Sequence, residues 1–221
     1  MLKDRVAQVM ETLKRESASW EKCPKLIAVT KYSTPEEILP LADLNVTDIG
    51  ENRVQSLREK LPELQGKFSI HLIGQLQSNK VKYIIRDVCM IHSLDHLSLA
   101  QEIDRQAGRA GIRMPVLLQV NIAREPQKGG VAEEELFPFL RQCAKLRGLQ
   151  VKGLMAMMPL GAPEDVITGY FTRMRALLEQ CQAEAVADTD MTELSMGMSQ
   201  DYGIAARCGA TMVRVGSALF R

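Results

Sequence analysis

What most limits the fold of this chain is a rhythm. Eight short apolar runs have the length and residue types of buried strands: Leu26–Lys31, Val46–Asn52, Phe68–Gly74, Val88–Ser93, Pro115–Asn121, Val151–Met157, Thr192–Met196 and Thr211–Gly216. Helical patterning separates them, and no neighbouring pair carries a hairpin signal. Strands joined only through helices must run parallel, because an antiparallel pair needs no crossover. The pattern therefore predicts an α/β protein, a (β/α)8 TIM barrel with an additional N-terminal helix, forming one domain over residues 1–221. A doubly wound open sheet is the alternative. It would normally place a glycine-rich turn after the first strand, and Thr30-Lys31-Tyr32-Ser33 has no glycine.

The helices follow from spacing and punctuation. Val6, Val9, Met10 and Leu13 mark one face of the opening helix. Thr34-Pro35-Glu36-Glu37 starts a helix to about Asp43, with Thr34 as cap, Pro35 in the first turn and Glu37 closing a capping box. A charged helix runs to about Leu61, and a short one from Ser78 through Ile85. Asp95 caps a helix with Leu99, Ala100, Ile103 and Ala107 on its apolar face, closed near Gly108 or Gly111. Pro138 puts the next helix start near Glu135. The helix after Pro163 is strongly striped, and the last begins at about Ser199 and runs to Cys208.

Composition removes several function classes. Lys and Arg exceed Asp and Glu by one, so nothing in the charge balance calls for nucleic acid or an anionic membrane. No apolar run is long enough to span a bilayer, and the N-terminus does not read as a signal peptide. The cysteines are odd in number, widely spaced and without a CxxC pair, which points to a reducing, cytoplasmic setting.

In a barrel of this kind the active face is built from the carboxyl ends of the strands. Those tips would bring together Lys31, Asn52, His71 with Gly74, Ser93, Asn121, Met157, Ser195 to Ser199, and Arg214 with Gly216 and Ser217. No glycosidase-like carboxylate pair and no nucleophile elbow occur among them. His92 and His96 are four apart but straddle a strand end and a helix start, so metal binding is not expected. There remain a strand-end lysine, an arginine and two segments suited to phosphate. Met196-Gly197-Met198-Ser199-Gln200-Asp201 leads into a helix N-terminus, and Val215-Gly216-Ser217 leaves the last strand through a glycine. Loops after strands 7 and 8 are the recurrent phosphate site of this barrel. A small phosphorylated carbonyl compound fits, and pyridoxal phosphate is one: lysine takes its aldehyde as a Schiff base and the helix end takes its phosphate. Arg214 shares a strand face with Gly216, so it could point inward beside the phosphate loop, the other possibility being an outward residue facing a helix.

Across essentially its whole length the chain resembles the pyridoxal phosphate homeostasis proteins, relatives of the N-terminal barrel domain of alanine racemase. The resemblance lies in Ala28-Val29-Thr30-Lys31, Gly50-Glu51-Asn52, His71-Leu72-Ile73-Gly74, Leu76-Gln77-Ser78-Asn79-Lys80, Gly153-Leu154-Met155, Leu194-Ser195-Met196-Gly197-Met198-Ser199 with Asp201, and Arg214-Val215-Gly216-Ser217. It implies that Lys31 carries the aldimine and that Ser199, Gly216 and Ser217 hold the phosphate. It implies that Arg214 faces the pyridine nitrogen and that Asn52, His71, Ser195 and Met198 line the pocket. Ile70 stands where an aromatic residue is common, and Ser217 where threonine is common.

The implied role is to bind pyridoxal phosphate and keep B6 vitamers in balance, without established turnover and with no catalytic residue assigned. A racemase and a cofactor-sensing interaction protein are the rival readings. Apo-enzymes that accept the cofactor would be partners, and a monomer is expected. Lys80 and Lys128 are read as solvated charges, though either could offer a second docking point. Racemisation is not expected to be efficient. Arg214 weakens the ring as an electron sink. Tyr32 is a poor second base, because as the strand neighbour of Lys31 it points to the opposite face, and the chain stops soon after Gly216, without the C-terminal domain that supplies that base in racemases.

Overall fold

A computed structural model describes residues 1–221. Eight parallel strands, β1 (Lys25–Val29), β2 (Asp48–Glu51), β3 (Ser69–Leu72), β4 (Met90–Leu94), β5 (Met114–Gln119), β6 (Leu149–Met155), β7 (Thr189–Ser195) and β8 (Met212–Val215), pair in chain order. Pairing of Lys25–Ala28 with Met212–Val215 closes the barrel, as the alternation of strand and helix patterns predicts. Seven helices of four or more residues lie between strands: α2 (Pro35–Ile38), α3 (Pro40–Asp43), α4 (Val54–Leu64), α5 (Leu97–Ala110), α6 (Leu136–Cys143), α7 (Glu164–Ala183) and α8 (Tyr202–Arg207); α1 (Leu2–Glu16) precedes β1, α9 (Ser217–Phe220) follows β8 and ends the chain, and a 3₁₀ turn, Ser78–Tyr83, links β3 to β4.

Two apolar regions divide the core. The larger lies between the outer face of the sheet and the helices, and joins strand residues such as Ala28, Ile49, Ile91 and Val213 with helix residues such as Phe171, Leu140 and Ile103 in one cluster. The smaller, Ile27, Met90, Leu117, Met155 and Met212, occupies the barrel lumen. Strand alternation explains the split, since consecutive residues such as Ile27 and Ala28 point to opposite faces. α1 packs against α8 and α9 beside the β8–β1 seam, burying Val6, Val9 and Leu13. Met10, expected on that face, is instead exposed at the edge of the stripe.

Several boundaries differ from the sequence reading. The helix expected over Pro35–Asp43 is two short helices divided at Leu39, because Pro40 cannot supply an amide to continue the first. Thr34 and Glu37 form the expected capping box, with the Thr34 amide 2.9 Å from Glu37 Oε2. α5 is capped by His96 rather than Asp95, whose carboxylate pairs with the His96 ring at 2.6 Å, and it closes on Gly111 in a left-handed conformation. β7 begins at Thr189, three residues before the apolar run. The helix after it begins at Tyr202, not at Ser199, because Asp201 is its N-cap.

Candidate functional site

A cavity of about 650 Å³ opens at the carboxyl ends of the strands, within the range of small-molecule sites. Its walls carry Lys31, Asn52, Met198, Ser199, Arg214, Gly216 and Ser217, so seven of the nine residues proposed from sequence meet around one space. Val29, Ile73, Met157 and Ile204 add apolar surface. The cavity sits off-centre. Ser93 and Asn121, also at strand tips, stay out of it and tie loops: the Ser93 hydroxyl donates to the Gly74 carbonyl at 2.7 Å, and the Asn121 amide donates to the Glu125 carbonyl at 2.9 Å.

Lys31 does not continue β1, which ends at Val29. The Thr30 amide makes the last inter-strand bond, to the Gly50 carbonyl, and a turn follows in which the Ser33 amide returns to the Thr30 carbonyl. Strand alternation therefore does not separate Lys31 from Tyr32. Both line the cavity, with Lys31 Nζ 4.9 Å from the Tyr32 ring centre. Beneath the turn lies a support the sequence did not reveal. Lys60, on α4, donates to the Thr30 carbonyl at 2.7 Å and to Glu51 at 2.8 Å. Glu51 is fully buried, and the Thr30 hydroxyl donates to it at 2.6 Å. The residue preceding Lys31 is thereby held by both its carbonyl and its hydroxyl.

The phosphate-binding region is built differently from the expected helix end. Ser199 caps no helix of its own. Its hydroxyl oxygen accepts the amides of Gly216, at 3.0 Å, and Ala218, at 3.3 Å, so it ties the turn after β7 to the start of α9. Both lone pairs are used, and the hydroxyl proton is left to donate. Gly197 makes this turn possible. Its φ of +92° is left-handed, and a Cβ there would lie 2.5 Å from that of Ala205. The Asp201 carboxylate accepts the Met198 amide, while burial pushes its pKa up against the pull of that bond and of Arg214.

Arg214 points inward. It is buried, and donates to Ser195 Oγ at 2.5 Å and to the Ala156 carbonyl at 2.9 Å. Burial pulls its pKa down to about 10 against the influence of Asp201, which leaves it a cation at neutral pH. No carboxylate forms an ion pair with it; Asp201, also in the cavity wall, acts on it only from beyond contact.

The remaining two of the nine, His71 and Ser195, lie one layer below the cavity floor instead of in its wall. His71 Nε2 is 3.0 Å from Asp48 and its Nδ1 is 2.9 Å from His92 Nε2, while His92 Nδ1 is 3.0 Å from Ser195 Oγ. Sequence spacing gave His92 no role, because its partner lies on another strand, 21 residues away. Lys80 and Lys128 do not line the cavity. Lys128 donates to the Met158 carbonyl at 2.9 Å and pairs with Glu125, and Lys80 lies 5.8 Å from the Tyr83 ring.

The alanine racemase N-terminal domain model matches residues 3–221. A pyridoxal phosphate homeostasis protein from Aquifex aeolicus is 38% identical over 222 residues, covering 98% of this chain and 96% of the relative. The chain belongs to the pyridoxal phosphate homeostasis protein family. A member from Deinococcus radiodurans is 40% identical over 89% of this chain and 88% of its own. The structure of PipY from Synechococcus elongatus with pyridoxal phosphate bound superposes with a TM-score of 0.89 at 33% identity, covering all of both chains. Alanine racemase from Corynebacterium glutamicum shares the fold at 15% identity and a TM-score of 0.71, and this chain spans 60% of it. No helix is long and apolar enough to cross a membrane.

Proposed function

We propose that this protein binds pyridoxal 5′-phosphate in the cavity at the carboxyl end of the barrel and serves in the homeostasis of that cofactor rather than in turnover. The observation that carries the reading is the buried Arg214 guanidinium, which faces the cavity without a carboxylate partner. A buried charge is costly unless something compensates it, and a ligand that offers a pyridine nitrogen lone pair and a phosphate anion is such a group. Two further features fit. The Asn52 side-chain oxygen is buried in the cavity wall without a hydrogen-bond partner, and the Ser199 hydroxyl is oriented by two amides with its proton free.

When bound, the cofactor supplies an aldehyde that an amine can hold covalently and a ring that can act as an electron sink. The chain's own residues divide the work of holding it. Lys31 supplies the amine, presented on a turn braced by Lys60 and Glu51. Ser199, Gly216 and Ser217 hold the phosphate, and Arg214 stands at the ring nitrogen, where its charge disfavours protonation. Asn52 and Met198 line the pocket. His71 and Ser195 act from beneath, through Arg214. The relatives' naming as homeostasis proteins supports a role in carrying or buffering the cofactor. Apo-enzymes would receive it.

The test is direct. Purified protein should be yellow, and borohydride should fix the cofactor to one peptide. An adduct mapped away from Lys31, together with retained colour in Lys31→Ala, would overturn the assignment. Delivery is tested by comparing activation of an apo-enzyme by loaded protein and by free cofactor at equal concentration.

A further inference from the structure

One continuous polar line crosses the barrel lumen beside the apolar cluster of Ile27, Met90, Leu117, Met155 and Met212. Arg214, Ser195, His92, His71 and Asp48 form an unbroken series of hydrogen bonds of 2.5, 3.0, 2.9 and 3.0 Å, running from the cavity wall to the amino end of β2. Four of its members are at most 4% exposed and Asp48 is 6% exposed. At the far end Asp48 also meets Lys25 Nζ at 3.2 Å and the Thr47 hydroxyl at 2.8 Å. Leu, Ile or Met would fill this space at less cost, as they do beside it, because each imidazole buried here must find partners for both ring nitrogens.

The ends of the line fix what happens between them. The Asp48 carboxylate can only accept, so His71 Nε2 carries a proton and donates. The Arg214 guanidinium can only donate, so Ser195 Oγ accepts from it. His92, held neutral chiefly by its complete burial and also by the Arg214 charge, has one proton to place. If it lies on Nε2, His92 donates to His71 Nδ1, Ser195 donates to His92 Nδ1, and every proton and acceptor of the line is used. If it lies on Nδ1, Ser195 Oγ accepts twice, its own proton has no partner in the line, and His71 must carry a second proton. Only the first order satisfies all the groups.

We infer that Asp48 is a remote positioning residue for Arg214: acting through His71, His92 and Ser195, it imposes one direction of hydrogen-bond donation that keeps the guanidinium seated on Ser195. The functional consequence rests on the reading of Arg214 as the cation facing the bound ring. Asp48 touches neither the cavity nor any group in its wall.

The experiment uses full-length protein without cofactor, labelled with nitrogen-15 in histidine and arginine. In the wild type, His71 and His92 should each give the spectrum of a ring protonated at Nε2 alone, and the Arg214 guanidinium protons should exchange slowly with solvent. Asp48→Asn removes the anion while keeping the shape, and its amide can donate as well as accept. His92 should then show both tautomers, and Arg214 protons should exchange several-fold faster. Ser195→Ala, a second variant, should leave His71 and His92 ordered by Asp48 but lose the Arg214 protection. A wild-type His92 protonated at Nδ1 would overturn the inference, as would Asp48→Asn with unchanged tautomers and exchange. These readouts need no cofactor, so a failure to bind pyridoxal phosphate would refute the proposed function alone.

Discussion

Ser199→Ala separates the structural and binding roles of one hydroxyl. In the absence of cofactor, Ser199 Oγ accepts the amides of Gly216 and Ala218 at 3.0 and 3.3 Å. A neutral hydrogen bond contributes about 1 kcal/mol net, and the longer of these two contributes less, so the cofactor-free variant should lose about 1–2 kcal/mol of stability. For a chain of this size each kcal/mol lowers Tm by about 2–4 °C. Loading adds a second loss. The hydroxyl proton would donate to the phosphate, and a bond to a charged group is worth about 1.5–3 kcal/mol, or about tenfold to a hundredfold in Kd. Pyridoxal, which has no phosphate, should lose little affinity beyond what the loosened turn costs. Urea denaturation of the cofactor-free variant and equilibrium dialysis with both ligands measure the two roles. Unchanged cofactor-free stability would refute the tie between the two turns. An equal loss of affinity for pyridoxal and its phosphate would refute the phosphate assignment.

Burial pushes the Asp48 carboxyl up, but His71, Thr47 and Lys25 together outweigh it and hold the pKa at about 2, below its ordinary 3.8. A lowered folded-state pKa adds stability that is present above the unfolded value and lost as pH falls through the folded one, here about 2 kcal/mol lost between about pH 5 and pH 1. Asp48→Asn should therefore flatten the acid limb of the stability profile, and a parallel limb would refute this account. Lys60→Met should destabilise by about 3–5 kcal/mol, because it strands the buried Glu51 carboxylate; the double variant with Glu51→Leu should recover part of that in denaturant titrations, and strict additivity would show that the two are not coupled. Racemisation of alanine should stay far below about 1 per second, because the Arg214 cation proposed to face the ring nitrogen disfavours its protonation and weakens the electron sink; inversion at enzymatic rates that is lost in Lys31→Ala would contradict that.

The barrel itself was legible in the chain because its information is local. A buried parallel strand followed by a helix announces itself within about a dozen residues, and eight such units leave few ways to close a sheet. Lys31 and Gly216 were legible for the same reason, each being the residue at which an apolar run stops. Depth and neighbourhood were not. Whether a strand-end residue reaches the cavity depends on register between strands, and register is set by closure of the whole barrel, so His71 fell below the floor while Asn52 reached the wall. The pairing of His71 with His92, and of Ser199 with an amide 17 residues further on, joins side chains from different strands or turns. No spacing along one segment records such a contact. The sequence by itself determined the order of strands and helices and the chemical inventory at their ends. Only the tertiary structure decided which of those groups face the ligand and which stand behind it, because that choice belongs to the stagger of eight strands around a common axis.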